Sequence, residues 1–256
     1  RLGDASIAAP FTSRLGNISS TREILKQGRC TLVTTYQMYK ILAINCLLTA
    51  YSLSVLYLMG VKYTDAQMMS TGICVAMFFL FISRSQPSAK LSPLRPEKSV
   101  WNGRVLGSVL AQFVVHLAVL ICCVCISKSV APLDALKLQS RFHIEEESDE
   151  HVKGSLMNTI VFLVSSFQTI ITFANNYRGE PFMQNFWVNK PLLFSFCGCA
   201  VALGGCLFGW EATMELQNYM GLVNLSQYGV QQLVSLLVIV DIVGVVLVER
   251  LCRVIF

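Results

Sequence analysis

The chemistry open to this sequence rests on its ten cysteines and on polar side chains set in apolar surroundings. Cys122, Cys123 and Cys125 crowd together, as do Cys197 and Cys199, and both groups invite a metal reading. Residues two apart on a helix point about 200° away from each other, so neither group gathers naturally around one ion. Buried, small, apolar cysteines are the expectation, with no metal site and no disulfide framework.

The polar residues are more informative. Asp241 is an acid near the middle of a long apolar stretch, where an ionised carboxylate costs roughly 2.5–3.5 kcal/mol even on gentle scales. Two readings of it stay open: a contact to substrate or ion, or a structural acid hydrogen-bonded within the bundle or protonated. Asn158, Ser165, Gln168, Thr172 and Asn175 fall near one face of a second stretch at helical spacing. Asn45, Thr49 and Ser52 repeat the pattern in a third. Such stripes face protein or a wet cavity, and either interhelical bonding or a cleft uses the same residue types. Asn45, Thr49, Ser52, Asn158, Gln168, Thr172 and Asp241 are therefore the cleft candidates. His116 follows Gln112 by four residues, a spacing that predicts a hydrogen bond along one helix and a neutral, satisfied ring. Lys40 is expected to snorkel from a helix end, and Gly205 with Gly209 has the spacing of close helix packing.

These side chains need elements to hold them, and composition names the class. Of the 256 residues, 54% are hydrophobic and 14% charged, against about 25% charged in ordinary soluble domains. The fold expected is an all-α integral membrane bundle of six transmembrane helices at about 40–59, 67–83, 105–126, 156–174, 192–210 and 233–251. Arg84, Lys90, Arg95, Lys98 and Arg104 between the second and third spans mark a cytosolic loop, as do Arg178 and Lys190 after the fourth. The acidic run Glu145, Glu146, Glu147, Asp149, Glu150 and the 211–230 loop, which has no Lys or Arg, belong on the other face. Both ends are then cytosolic, and this inside bias accounts for the net charge of +5 without nucleic-acid binding. Asn224-Leu225-Ser226 is a glycosylation sequon on the outer side, whereas Asn17-Ile18-Ser19 lies on the cytosolic side and is expected to be unused.

The first thirty residues differ from the rest. Ser20 and Glu23 have capping-box spacing, predicting a short helix over 21–27 that Gly28 ends. The chain opens at Arg1 with no initiator Met or signal segment, and reads as a piece of a longer protein.

Several segments carry a family likeness. Leu2-Gly3-Asp4-Ala5-Ser6-Ile7-Ala8-Ala9-Pro10-Phe11-Thr12-Ser13 resembles the end of the phosphorylation domain of type V P-type ATPases. The block from Gln27 to Thr35, then Lys40-Ile41-Leu42-Ala43, Ser54-Val55-Leu56-Tyr57-Leu58 and Gly60-Val61-Lys62, is similar to the subtype A branch. Phe79 to Ser85 and Asn176-Tyr177-Arg178-Gly179-Glu180-Pro181-Phe182-Met183 extend the likeness along the chain.

That resemblance implies a division into the end of a cytosolic phosphorylation domain with linker (1–30) and a six-span domain (31–256). It implies a translocase of the endoplasmic reticulum membrane, driven by ATP with Mg²⁺, whose cargo is a misinserted transmembrane helix held in a cleft open sideways to lipid. The chain has neither an Asp-Lys-Thr-Gly-Thr phosphorylation motif nor an Asp-Gly-x-Asn-Asp segment, so no catalytic residue is expected within it. The sister branch of polyamine exporters is the nearest alternative, and would be expected to use acidic residues against a cationic cargo. A non-enzymatic six-span channel or scaffold is the reading that composition and topology alone permit.

Overall fold

The computed structural model describes residues 16–97, 99, 101–130 and 155–255. The expected end of a phosphorylation domain at 2–13, Lys98 and the acidic run 145–150 lie outside the described residues. Helices account for nearly all the regular structure: α1 (Ser19–Leu58), α2 (Asp65–Ser83), α3 (Gly103–Val130), α4 (Leu156–Asn176), α5 (Lys190–Phe208), α6 (Met214–Met220) and α7 (Gln231–Ile255). Six of these are long and apolar enough to cross a membrane, and the short α6 is not. The protein is thus an all-α, multi-pass membrane bundle, in which the first helix starts 21 residues before the expected span at 40–59.

Local chemistry explains the start of α2 and both ends of α5. α2 starts in a full capping box, the Thr64 hydroxyl accepting from the Gln67 amide while the Gln67 side chain accepts from the Thr64 amide. α5 starts with Pro191 in its first turn, the Asn189 side chain accepting from Leu192 N, and ends at Gly209 in the left-handed region, φ 66°.

Two expectations fail here. α1 does not stop at Gly28 but continues through it for 40 residues, and the Ser20–Glu23 capping box does not form; the Asn17 side chain instead accepts from Ser19 N at 3.2 Å. One glycine costs a helix only about 1 kcal/mol. Contacts beyond Gly28 outweigh that cost. Arg29 donates to the carbonyls of Ser92 and, at 3.1 Å, Leu94. Buried Cys30 approaches Ser85 O at 3.6 Å. Gly205 and Gly209 likewise do not mediate helix–helix packing. A Cβ at Gly205 would meet Thr213 Cγ2 at 2.5 Å, in the turn that follows α5, and Gly209 is the cap of that turn.

α4 is the centre of the bundle: 72% of its most apolar stretch is buried, against 17–39% for the other five spans. One apolar core joins Ile44 and Leu48 of α1, Leu120 of α3, Ile160 and Leu163 of α4, and Val234 and Val238 of α7. A second, aromatic core joins α2, α4 and α5, with Phe78 edge-on to Phe173 and Phe196 at centroid distances of 5.2 and 4.6 Å. At the end of the bundle where α1 begins, here called the basic end, the two connecting loops pair. Gln184 N donates to Gln86 O at 3.0 Å and Ser88 N to Phe182 O at 3.1 Å, around a bridge between Pro87 and Met183. Arg178 N donates to Gln37 Oε1 at 3.0 Å, so α1 is held by both loops.

α3 and α7 approach closely at Gly244, where an added Cβ would lie 2.8 Å from Val115 Cγ1. Gly244→Leu is expected to destabilise the bundle by about 1–3 kcal/mol through overpacking. Gly198→Ala, with nothing within 4 Å of the new methyl, should be neutral or stabilise by up to about 1 kcal/mol. Thermal unfolding of the two variants in detergent checks both.

Candidate functional site

The polar side chains sort into two regions separated by α4. The first is a buried column between α3, α4 and α7. Its deeper part is a pair formed by His116 and Asp241, both fully buried, with His116 Nδ1 2.9 Å from each carboxylate oxygen. Gln168 Nε2 donates to His116 O at 2.9 Å and to Asp241 Oδ1 at 3.3 Å. On the far side of the ring, Nε2 lies 3.2 Å from Thr172 Oγ1. A carboxylate accepts only, so the ring nitrogen facing it carries the proton; in a neutral ring the other nitrogen accepts from Thr172. The Asp241 carboxylate thereby gains the partners that make it tolerable at this depth.

Toward the basic end the column continues through an amide pair. Asn176 Nδ2 donates to Gln112 Oε1 at 2.9 Å, and Gln112 Nε2 to Asn176 Oδ1 at 3.2 Å. Gln112 Nε2 also lies 2.8 Å from Glu249 Oε2, which accepts from the Ser108 hydroxyl and from Lys40 Nζ at 2.8 Å. Lys40 and Glu249 are each 5% exposed, a buried ion pair that ties α1 to α7.

The second region is a groove between α1, α2 and α4. A cavity of about 170 Å³ is lined by Thr49, Ser52, Tyr63, Gln67, Thr71, Ser165 and Thr169, with Leu48 and Phe162 as apolar walls. Thr49, Leu53, Met68 and Gly72 are exposed along it, so it opens on the outer face of the bundle. Toward the end opposite the basic loops it shares Leu53, Tyr63 and Met68 with a wider mouth of about 780 Å³. Across Thr71, Phe162 and Thr169 it abuts a third cavity, about 230 Å³, between α2, α4 and α5. Tyr63 Oη lies 3.4 Å from Ser165 Oγ, and burial pushes its phenol up, so it stays neutral at physiological pH. The groove wall holds neutral hydroxyls and amides.

Of the residues singled out from sequence, Thr49 and Ser52 lie on the groove wall. Gln168, Thr172 and Asp241 lie in the column instead. Asn158 donates to Lys62 O at 2.8 Å, where the chain turns between α1 and α2. Both amide atoms of Asn45 are buried without a partner among the described residues. The predicted stripe on α4 is thus divided: Ser165 faces the groove, where Thr169 joins it, while Gln168 and Thr172 face the column, where Asn176 takes the place expected for Asn175, whose Nδ2 is buried with no partner among the described residues.

The expected His116–Gln112 bond is absent among the described contacts. Each residue reaches a carboxylate on α7 instead, a stronger partner than a neutral neighbour on its own helix. Lys40 does not snorkel; Glu249 holds it inside. Glu249 itself was missed, because an acid at the end of an apolar stretch reads as a boundary residue. The usable signal was that Lys40 and Glu249, of opposite charge, both fall just inside the basic ends of their spans. At the sequon, Asn224 Oδ1 accepts from Ser226 N and Oγ at 3.1 and 2.8 Å, and the side chain packs against Gly209.

No family model matches the chain. Curated relatives do. It is 44% identical over 77% of its length to the endoplasmic reticulum transmembrane helix translocase of Saccharomyces cerevisiae, covering 16% of that protein. It is 40% identical over its whole length to the translocase of the same name from Aspergillus fumigatus, covering 19%. A human polyamine-transporting ATPase, 13A2, is more distant: 26% identical over 96% of the chain, 20% of that protein. The chain spans about a fifth of the length of these relatives.

The His116–Asp241 pair generates a direct test. Removing one partner strands the other in a dry interior, so His116→Leu or Asp241→Leu alone is expected to cost about 3–5 kcal/mol, and the double variant far less than the sum. Denaturant unfolding in mixed micelles, run as a double-mutant cycle, measures the coupling. Additive losses would show that the pair is not a unit.

Proposed function

The chain belongs to the type V, subtype A P-type ATPases, the endoplasmic reticulum transmembrane helix translocases, and on that premise we propose that its bundle grips misinserted transmembrane helices for ATP-driven removal from the bilayer. The observation that carries this reading is the groove between α1, α2 and α4, open on the outer face and lined by neutral hydroxyls and amides. An apolar helix entering from lipid brings no charge to be neutralised but does bring occasional polar side chains. Thr49, Ser52, Ser165 and Thr169 suit such a guest: they satisfy a polar group without demanding one.

In this reading Asn158, Gln168, Thr172 and Asp241 act from behind the groove, holding α1, α3, α4 and α7 in the positions that shape it, while the Asn45 amide, without a partner among the described residues, is kept as a contact for the guest. The protein works in the endoplasmic reticulum membrane, with the basic loops and both ends of this chain in the cytosol and Asn224 on the lumenal side. Lipid and the guest helix are its partners. ATP and Mg²⁺ act on parts of the protein outside these residues, which contain no motif to hold either, and no step of that chemistry is assigned to the side chains described above.

Polyamine export is the second reading. A polycation in the membrane needs carboxylates free to meet it. Here the two acids buried in the spans are engaged, Asp241 by His116 and Gln168 and Glu249 by Lys40, and the exposed acid at the groove's mouth, Asp65, shares that wall with Lys62, which favours the neutral cargo.

The whole protein, reconstituted in liposomes, is expected to turn over ATP faster when a tail-anchored helix is misinserted beside it, and to ignore spermine. A photo-crosslinker at Thr49 or Thr169 should capture that helix, whereas one at lipid-facing Ile239 should capture lipid. Stimulation by spermine alone would move the protein to the polyamine branch.

A further inference from the structure

Cys74 on α2 and Cys199 on α5 bring their sulfurs to 3.5 Å, and no other two cysteine sulfurs lie within hydrogen-bonding distance among the described residues. Each is the tenth residue of a 19-residue membrane-spanning helix, which places the pair near mid-depth of the bilayer. Both are half-buried and form part of the wall of the cavity of about 230 Å³ between α2, α4 and α5. That wall is apolar except for the hydroxyls of Ser70, Thr71, Ser166 and Thr169.

We propose that Cys74 and Cys199 form a dithiol that lipid hydroperoxides oxidise to a disulfide, fastening α2 to α5 within the membrane. A disulfide requires an S–S distance of about 2.05 Å, so the sulfurs, now at 3.5 Å, need to close by about 1.5 Å. The oxidant is named by location. A hydroperoxide carried on an acyl chain resides in the same layer as the two sulfurs, and the cavity offers an apolar bed for the chain with hydroxyls for its polar group.

The reaction balances in two steps. One sulfur, as its thiolate, attacks the outer oxygen of the hydroperoxide; the O–O bond breaks, and the alkoxide takes up the thiol proton and leaves as a lipid alcohol. The resulting sulfenic acid is attacked by the second sulfur; the S–S bond forms, the S–O bond breaks, and hydroxide leaves with the second thiol proton as water. Two thiols lose two electrons, and those electrons reduce the peroxide bond. The hydroxyls of Thr71 and Thr169 line the space in which the alkoxide would form.

The test uses the whole protein in vesicles of phosphatidylcholine, with or without hydroperoxidised acyl chains, followed by proteolysis and mass spectrometry. A linked Cys74–Cys199 peptide should exceed any other cysteine pair by about tenfold and disappear on reduction. Cys74→Ser should leave a sulfenic acid on Cys199 that dimedone traps. As a check independent of that variant's folding, phenylarsine oxide should bridge the two sulfurs of the reduced wild-type protein. Sulfinic acid on a single cysteine without linkage, linkage spread evenly over several pairs, or no preference of phenylarsine oxide for this pair would overturn the proposal. None of these readouts depends on transport.

Discussion

A buried polar group in a bilayer has no water to fall back on, and this structure is arranged around that constraint. Asp241 and Glu249 on α7 and Lys40 on α1 all lie within membrane-spanning helices and each is fully or almost fully buried. Each finds its partners inside the protein, Asp241 in hydrogen bonds from His116 and Gln168 and Glu249 in an ion pair with Lys40. Satisfying them draws α1, α3, α4 and α7 together, because the donors sit on three helices and both acceptors on a fourth, α7. The close approach of α3 and α7 at Gly244 is the steric counterpart of that requirement. Without a side chain there, the backbones come near enough for His116 and Asp241 to meet.

The same constraint divides the bundle. Where partners are complete, along the column, the helices are locked to one another by bonds of defined direction. Where α2 and α5 meet α4, aromatic edges and methyl groups do the packing, and such contacts have no strict register. The groove runs along this boundary. A guest that must enter and leave is better served by a wall that can slide than by one pinned through ion pairs, and the placement of neutral hydroxyls on that wall fits the division.

Much of this was legible in the sequence. Six apolar stretches of sufficient length dictated six helices, and the basic residues marked one set of loops. Asp241, Gln168 and Thr172 stood out because polar residues in apolar runs are costly. What sequence could not disclose was which partner each would choose. Spacing along one helix suggested Gln112 for His116, yet the nearest carboxylate lay 125 residues away on α7. Lys40 and Glu249, 209 residues apart, each looked like an ordinary end-of-span charge. The continuity of α1 was hidden for a related reason. Gly28 reads as a stop when local propensity is all that is known, and the contacts that carry the helix through it come from Ser85, Ser92 and Leu94 in a distant loop.

That unbroken α1 has a mechanical side. Its 40 residues make a rod about 60 Å long, anchored on the loops near Arg29 and pinned to α7 at Lys40. Taking Lys40 as a fulcrum, the arm back to Ser19 is about 31 Å and the arm forward to Ser52 about 18 Å. Were the loops bonded to Arg29 and Gln37 to move with it, a sideways push at Ser19 would reach the groove reversed in direction and reduced to a little over half its amplitude, trading travel for force.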